Sequence, residues 1–215
     1  MSIWDCLLFL DKLIDDSDPD TQNSQLQHAL QTAESARRLH PTLDWMHVTA
    51  LIHDLGKILS MACNEPQWAV VGDTFPVGCR FSPHNVFPHS FAANPDSTHP
   101  VYSTELGVYT AHCGLRNVKM SWGHDSYLAE VCVRNHCTLP AEALAMIRYH
   151  SFYPFHRHGG YAYLTDAEDE RMLYWVLEFN KCDLYSKDAA LVDVDAVKPY
   201  YMSLIDKYFP ATLKW

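Results

Sequence analysis

Apolar positions recur at helical spacing through most of the chain. Ile3, Leu7, Leu10 and Ile14 share one face of a first predicted helix over residues 3–13, which ends in the acidic turn Asp15-Asp16-Ser17-Asp18-Pro19-Asp20. Ser24, a good N-cap, opens a second helix with Leu26, Leu30, Ala33 and Ala36 on its stripe, and Pro41 stops it. A third helix is predicted over residues 44–61, with Val48, Leu51, Ile52, Leu55 and Leu59 facing inward. Residues 63–101 carry six prolines and no helical period, apart from a short predicted strand at 68–71. Helices return at 103–111, 124–136 and 140–150, the last with Pro140 in its first turn. Two more follow at 166–185 and 195–207. No repeat or linker interrupts the series. The pattern predicts a single all-α domain over residues 1–215 with one long irregular insert.

Composition narrows the function. Sixteen basic against 26 acidic residues give a net charge of −10, with no basic block. That balance argues against nucleic acid and against an anionic membrane surface, and it suits a small neutral or cationic substrate. The N-terminus lacks a basic leader and a cleavage site, and no apolar run reaches the roughly 18 residues of a membrane span. Seven scattered cysteines without a CxxC pair read as reduced thiols, so the expected compartment is the cytoplasm.

The 13 histidines change the picture most. His84, His89, His99, His156 and His158 fall in Pro-, Gly- or Ser-rich stretches and read as solvated loop residues. His53 and Asp54 instead interrupt the apolar run LIHDLGKIL. Neighbouring helical positions lie about 100° apart, so with Leu51, Ile52 and Leu55 buried at least one of the pair must point inward. Burying such a group alone costs about 1–3 kcal/mol, and far more for a carboxylate, whereas a metal would satisfy both. The same conflict recurs at His28 between Leu26 and Leu30, at His124 after Trp122-Gly123, at His150 four residues after Met146, and at Asp183 four after Phe179. Taken alone, each is more often a satisfied core or surface residue. Together, six imidazole and carboxylate donors without a thiolate suit iron, manganese or zinc, and their number suits two ions sharing Asp54. Asp125, beside His124, reads as a first-turn carboxylate favoured by the helix dipole and outside the metal set.

The stretches HALQTAE (28–34), LIHDLGKIL (51–59), PQWAVVGDTFPVGCR (66–80), MSWGHDSY (120–127), MIRYHSFYP (146–154) and EFNKCDLYSK (178–187) resemble myo-inositol oxygenase, a dinuclear-iron branch of the HD-domain fold. The resemblance runs from Met1 to Trp215. It implies an HD-domain-like helical bundle with one iron held by His28, His53 and Asp183, a second held by His124 and His150, and Asp54 bridging them. It also implies a substrate pocket from Asp15, Asp16, Ser17, Lys57, Gly72, Asp73, His150 and Ser151. The implied reaction is O2-dependent ring cleavage of myo-inositol, or a close polyol, to D-glucuronate by a mixed-valent Fe(II)/Fe(III) pair in a monomeric enzyme. Family members usually carry an N-terminal extension that supplies a substrate-contacting arginine, and no counterpart of that arginine is expected here.

Lys57 fits that chemistry from its position as well. It stands one turn after His53, so its ammonium can reach a metal-bound oxygen and favour its ionised form. A solvated lysine is the alternative, but the helix face Lys57 shares with His53 favours the catalytic reading. Lys57 and Asp54 are accordingly the expected catalytic residues. Two other functions fit the same ligands: an HD-type phosphohydrolase using metal-bound hydroxide, and an inactive metal-binding paralogue. A phosphate pocket would show several Arg or Lys near the motif; Lys57 is the only one there, and the neighbouring loops are acidic.

Overall fold

The computed structural model describes residues 1–13, 24–63, 65–183 and 191–215. Among these the protein is all helical: ten α-helices with short 3-10 turns, no strand, and a single isolated antiparallel bridge between Pro76 and Met120. No described helix is long and apolar enough to cross a membrane.

The helices that carry the main core are those with regular apolar stripes. Helix α1 (Ile3–Leu10) is capped by the Ser2 side chain. Helix α2 (Gln25–Leu39) starts at the expected N-cap, Ser24, and ends at His40, whose backbone leaves the helical region ahead of Pro41. Helix α3 (Asp44–Ile52) lies along α2. After α4 (Ile58–Ala62) and α5 (Gln67–Val70) come α6 (His124–Arg134) and α7 (Ala141–Tyr149), packed on each other. The short α8 (Tyr153–His156) leads to α9 (Ala167–Asp183), which packs on both α7 and α2. Helix α10 (Val194–Tyr208), capped by Asp193, closes over α3. Leu30, Ala33, Met46, Leu51, Ile52, Met146, Ile147, Phe179 and Tyr201 are wholly buried where these faces meet.

Three expectations need correction. The predicted helix over 44–61 is broken: α3 stops at Ile52, and Leu55–Lys57 is a 3-10 turn before α4. The break lets Gly56 press against α6, where a Cβ would stand 2.0 Å from the His124 carbonyl oxygen. Residues 67–70 form one helical turn, not a strand, because Val70 and Val71 bury beside Leu59. Residues 103–111 are turns rather than helix. Ser103 and Thr104 hydroxyls bond the His99 and Val101 carbonyls at 2.7 Å, competing with helical pairing. Gly107, at φ +58°, lies so close to Gly78 that a side chain would not fit.

Candidate metal centre

Five helices deliver the histidines and aspartates singled out in the sequence to one buried locus. His28 projects from α2, and His53 caps the C-terminus of α3 with Asp54 just beyond it. His124 begins α6, His150 caps α7, and Asp183 ends α9. His53, His124 and His150 are 1%, 2% and 3% exposed; Asp54 and Asp183 are buried as well, and His28 is half-buried.

The donors fall into two lobes. In the first, His28 Nε2 is 3.3 Å from His53 Nε2 and 3.2 Å from Asp183 Oδ1, and His53 Nε2 is 3.3 Å from that oxygen. In the second, His124 Nε2 and His150 Nε2 are 3.2 Å apart. Asp54 joins them. Its Oδ2 lies 3.4 Å and 3.6 Å from the Nε2 atoms of His53 and His28, and its Oδ1 lies 3.5 Å and 3.6 Å from those of His124 and His150.

The tautomers show what this arrangement lacks. His53 Nδ1 lies 2.8 Å from the Ala50 carbonyl, His124 Nδ1 2.9 Å from that of Val70, and His150 Nδ1 3.0 Å from that of Ile147. A carbonyl only accepts, so each Nδ1 carries the proton, and each neutral ring presents a bare lone pair at Nε2. With the rings neutral, these lone pairs face the carboxylate oxygens of Asp54 and Asp183, an arrangement that a cation between them favours. Donors bound to one ion at about 2.0–2.2 Å would stand roughly 3–3.5 Å apart, close to the spacings found. The residues therefore fit a metal in each lobe.

Electrostatics agree. Burial pushes the Asp54 carboxyl up, but Lys57 and His53 outweigh it and hold Asp54 well below the usual range. Asp183 is held down in the same way by His53 and His28. Burial pulls His53 down, yet Asp54 and Asp183 raise it well above an ordinary imidazole; Asp125 and Asp54 raise His124. These carboxylates favour any positive charge placed among the rings.

Lys57 is buried, not solvated, with Nζ 2.9 Å from Asp54 Oδ2. The loop residues come to the second lobe. The Thr74 amide donates to Ser151 Oγ at 3.1 Å, and the neighbouring Asp73 carboxyl is raised to about 6 by burial and by Asp125. Asp73 Oδ2 is buried with no hydrogen-bond partner. Gly72 sits beneath the Trp68 carbonyl, where a Cβ would be tight at 3.3 Å. Asp15, Asp16 and Ser17 lie outside the described residues.

Two residues escaped the sequence reading. Asp125 is 1% exposed, with Oδ1 2.8 Å from His124 Nε2 and 3.3 Å from His150 Nδ1. Its Oδ2 accepts from Ser151 Oγ at 2.5 Å and from the Ser151 amide at 3.3 Å. It belongs to the second lobe's surroundings and is not merely a helix-start charge. The signal was present: His124-Asp125 repeats the His53-Asp54 dipeptide. His156 is likewise no solvated loop residue. Its Nε2 reaches the His150 carbonyl at 2.9 Å, and burial lowers the imidazole to about 4. Nothing in its sequence neighbourhood announced that. His84, His89 and His158 are exposed as expected, whereas His99 is half-buried and stacked on Tyr102.

These features define a class: an all-helical protein with a buried, two-lobed imidazole–carboxylate site that could hold metal, joined through one carboxylate. The family model described as "Myo-inositol oxygenase" matches residues 1–215, and the chain belongs to that family. It is 54% identical over 219 residues to "Inositol oxygenase" of Dictyostelium discoideum, covering 100% of this chain and 75% of the relative. It is 57% identical over 217 residues to "Inositol oxygenase 2" of Arabidopsis thaliana, covering 100% and 68%. Against "Inositol oxygenase" of Mus musculus the identity is 55% over 216 residues, covering 100% and 75%.

Proposed function

We propose that this chain is an inositol oxygenase of HD-domain-like architecture, converting myo-inositol or a close polyol and O2 to D-glucuronate. The observation that carries the reading is the pair of lobes joined through the two oxygens of Asp54, in a chain covered end to end by the family. His28, His53 and Asp183 would hold one iron, and His124 and His150 the other, with Asp54 bridging. When bound, a mixed-valent Fe(II)/Fe(III) pair supplies the redox chemistry for O2 and the Lewis acidity that ionises a polyol hydroxyl. The electrons balance within the substrate pair: one oxygen atom of O2 enters the new carboxylate, the other leaves as water, and no external reductant is needed.

The chain's own groups suit a polyol. Ser151 Oγ donates to Asp125 and accepts from the Thr74 amide, which leaves one of its lone pairs for a substrate hydroxyl. Asp73 Oδ2 is a buried acceptor without a partner, the complement of another hydroxyl. Lys57 holds its ammonium against the bridging carboxylate, where it favours negative charge on a neighbouring oxygen. Asp15, Asp16 and Ser17 would complete the pocket. The described cysteines are free, which supports a reducing compartment such as the cytoplasm.

The test compares iron-loaded with zinc-loaded protein on myo-inositol under air. The expected result is D-glucuronate from the iron form alone, with matching O2 uptake. Hydrolysis of nucleotides or phosphomonoesters with Mn(II), and no O2 uptake, would replace the proposal with a phosphohydrolase.

A further inference from the structure

Outside the metal centre, the end of α6 brings two thiols together. Cys137 N–H bonds the Cys132 carbonyl at 3.1 Å, His136 N–H bonds that of Val133 at 3.0 Å, and His136 takes the left-handed conformation at φ +55°. This is the Schellman arrangement, whose two flanking positions normally close on each other through an apolar contact. Here both positions are cysteines, so two thiols take the places of that apolar contact. A turn closed by the 6→1 backbone bond from Cys137 to Cys132 brings the two Cα atoms to about 5–6 Å, inside the 4.4–6.8 Å window of a disulfide.

The surroundings hold the pair in place. Asn135 Nδ2 donates to the Val131 and Lys214 carbonyls, both at 2.8 Å, and its Oδ1 accepts from the Lys214 amide at 2.8 Å. The next residue after the pair, Thr138, donates its amide to the Tyr208 carbonyl at 2.9 Å. The two thiols differ in access: Cys132 is wholly buried, whereas Cys137 is half-buried. They also differ from the rest. Burial pushes the Cys6 thiol up to about 12 and those of Cys79 and Cys182 to about 11, whereas the Cys132 contact draws Cys137 down to about 7. A half-buried thiol beside a wholly buried one makes an attacking and a resolving partner.

We propose that Cys132 and Cys137 form a reversible intramolecular disulfide that pins the C-terminal end of α6. The oxidant is a low-molecular-weight disulfide such as oxidised glutathione. The Cys137 thiolate attacks one glutathione sulfur, forming a mixed disulfide and releasing one glutathione. Cys132 then attacks the Cys137 sulfur and releases the second. Two protein thiols lose two electrons in all, and their protons leave on the two glutathiones.

The metal-loaded protein is equilibrated in glutathione buffers of rising oxidised fraction, alkylated and digested with trypsin. Arg134 lies between the two cysteines, so the disulfide joins peptides 120–134 and 135–148 into one species two hydrogens lighter than their sum. The linked species should appear at an oxidised fraction at least about tenfold below that which half-modifies the exposed Cys63, because the second step is intramolecular. Cys132→Ser should trap Cys137 as the glutathione mixed disulfide, and Cys137→Ser should leave Cys132 unmodified. A stable mixed disulfide at Cys137 in the unaltered protein, or a linked species needing as much oxidant as Cys63, overturns the proposal.

Discussion

Asp54 and Asp125 each follow a histidine, yet the fold gives them different tasks. Asp54 directs one oxygen to each lobe, whereas Asp125 faces the second lobe and spends its other oxygen on Ser151. Asp125→Asn keeps the size and removes the charge beside His124 and His150. It should weaken the second ion by about 10–100-fold, as loss of a supporting carboxylate does, and leave the first in place. Chelator competition measured ion by ion checks this, and equal affinities in both proteins would return Asp125 to a helix-start role. Lys57 contributes no metal donor, so Lys57→Ala should keep both metals. It should lower polyol turnover by about 10²-fold, with Lys57→Arg restoring part of it. Turnover at the parent rate in the alanine variant would show that the ammonium serves only to offset Asp54. The six residues that meet at this locus were legible because each set a polar group against an apolar stripe. Asp125 and His156 were harder: their burial is created by Ser151 and by the His150 carbonyl, contacts that exist only once the helices have packed.

Among the elements, those with complete local signals fell where the pattern put them. Helices α2, α6, α7, α9 and α10 lie close to their expected ranges, and α2 and α10 also carry side-chain caps, at Ser24 and Asp193. The misread stretches answer to long-range contacts or to side chains competing for the backbone. The break after Ile52 exists because Gly56 meets the start of α6, 68 residues further on, and no local rule encodes that approach. Gly56→Ala tests it. Its Cβ would meet the His124 oxygen, carbon and Cα at 2.0, 2.7 and 2.9 Å, all backbone atoms that cannot swing aside. The expected loss is at least about 3 kcal/mol, read as a fall in the thermal midpoint with weakened metal at the second lobe. An unchanged midpoint would mean that the 3-10 turn and α6 are not in this contact.

At the scale of the whole molecule, five helices meet at one buried set of charges, so metal binding and folding are linked. Chelation should lower the thermal midpoint, and pH should set by how much. In the metal-free protein His53 and His124 are raised above the ordinary value of about 6.5. Their protonation therefore stabilises the fold fully below about pH 6.5, and that support is lost as pH rises through the raised values. Protons thus stand in for the metals in acid and cannot do so in base. The drop on chelation should be larger at about pH 8.5 than at about pH 6.5. Equal drops would indicate that the rings are not the groups the metals replace.

The proposal that these two lobes carry out O2-dependent ring cleavage is tested most directly with isotopically labelled dioxygen. Iron-loaded protein is mixed with myo-inositol under labelled O2 in ordinary water, and the acid formed is analysed by mass spectrometry. The account expects D-glucuronate with one labelled oxygen in its carboxylate, and no such product from Asp54→Ala, in which the shared ligand is gone and both ions are lost. Glucuronate without label, or labelled glucuronate at the parent rate from Asp54→Ala, would contradict it.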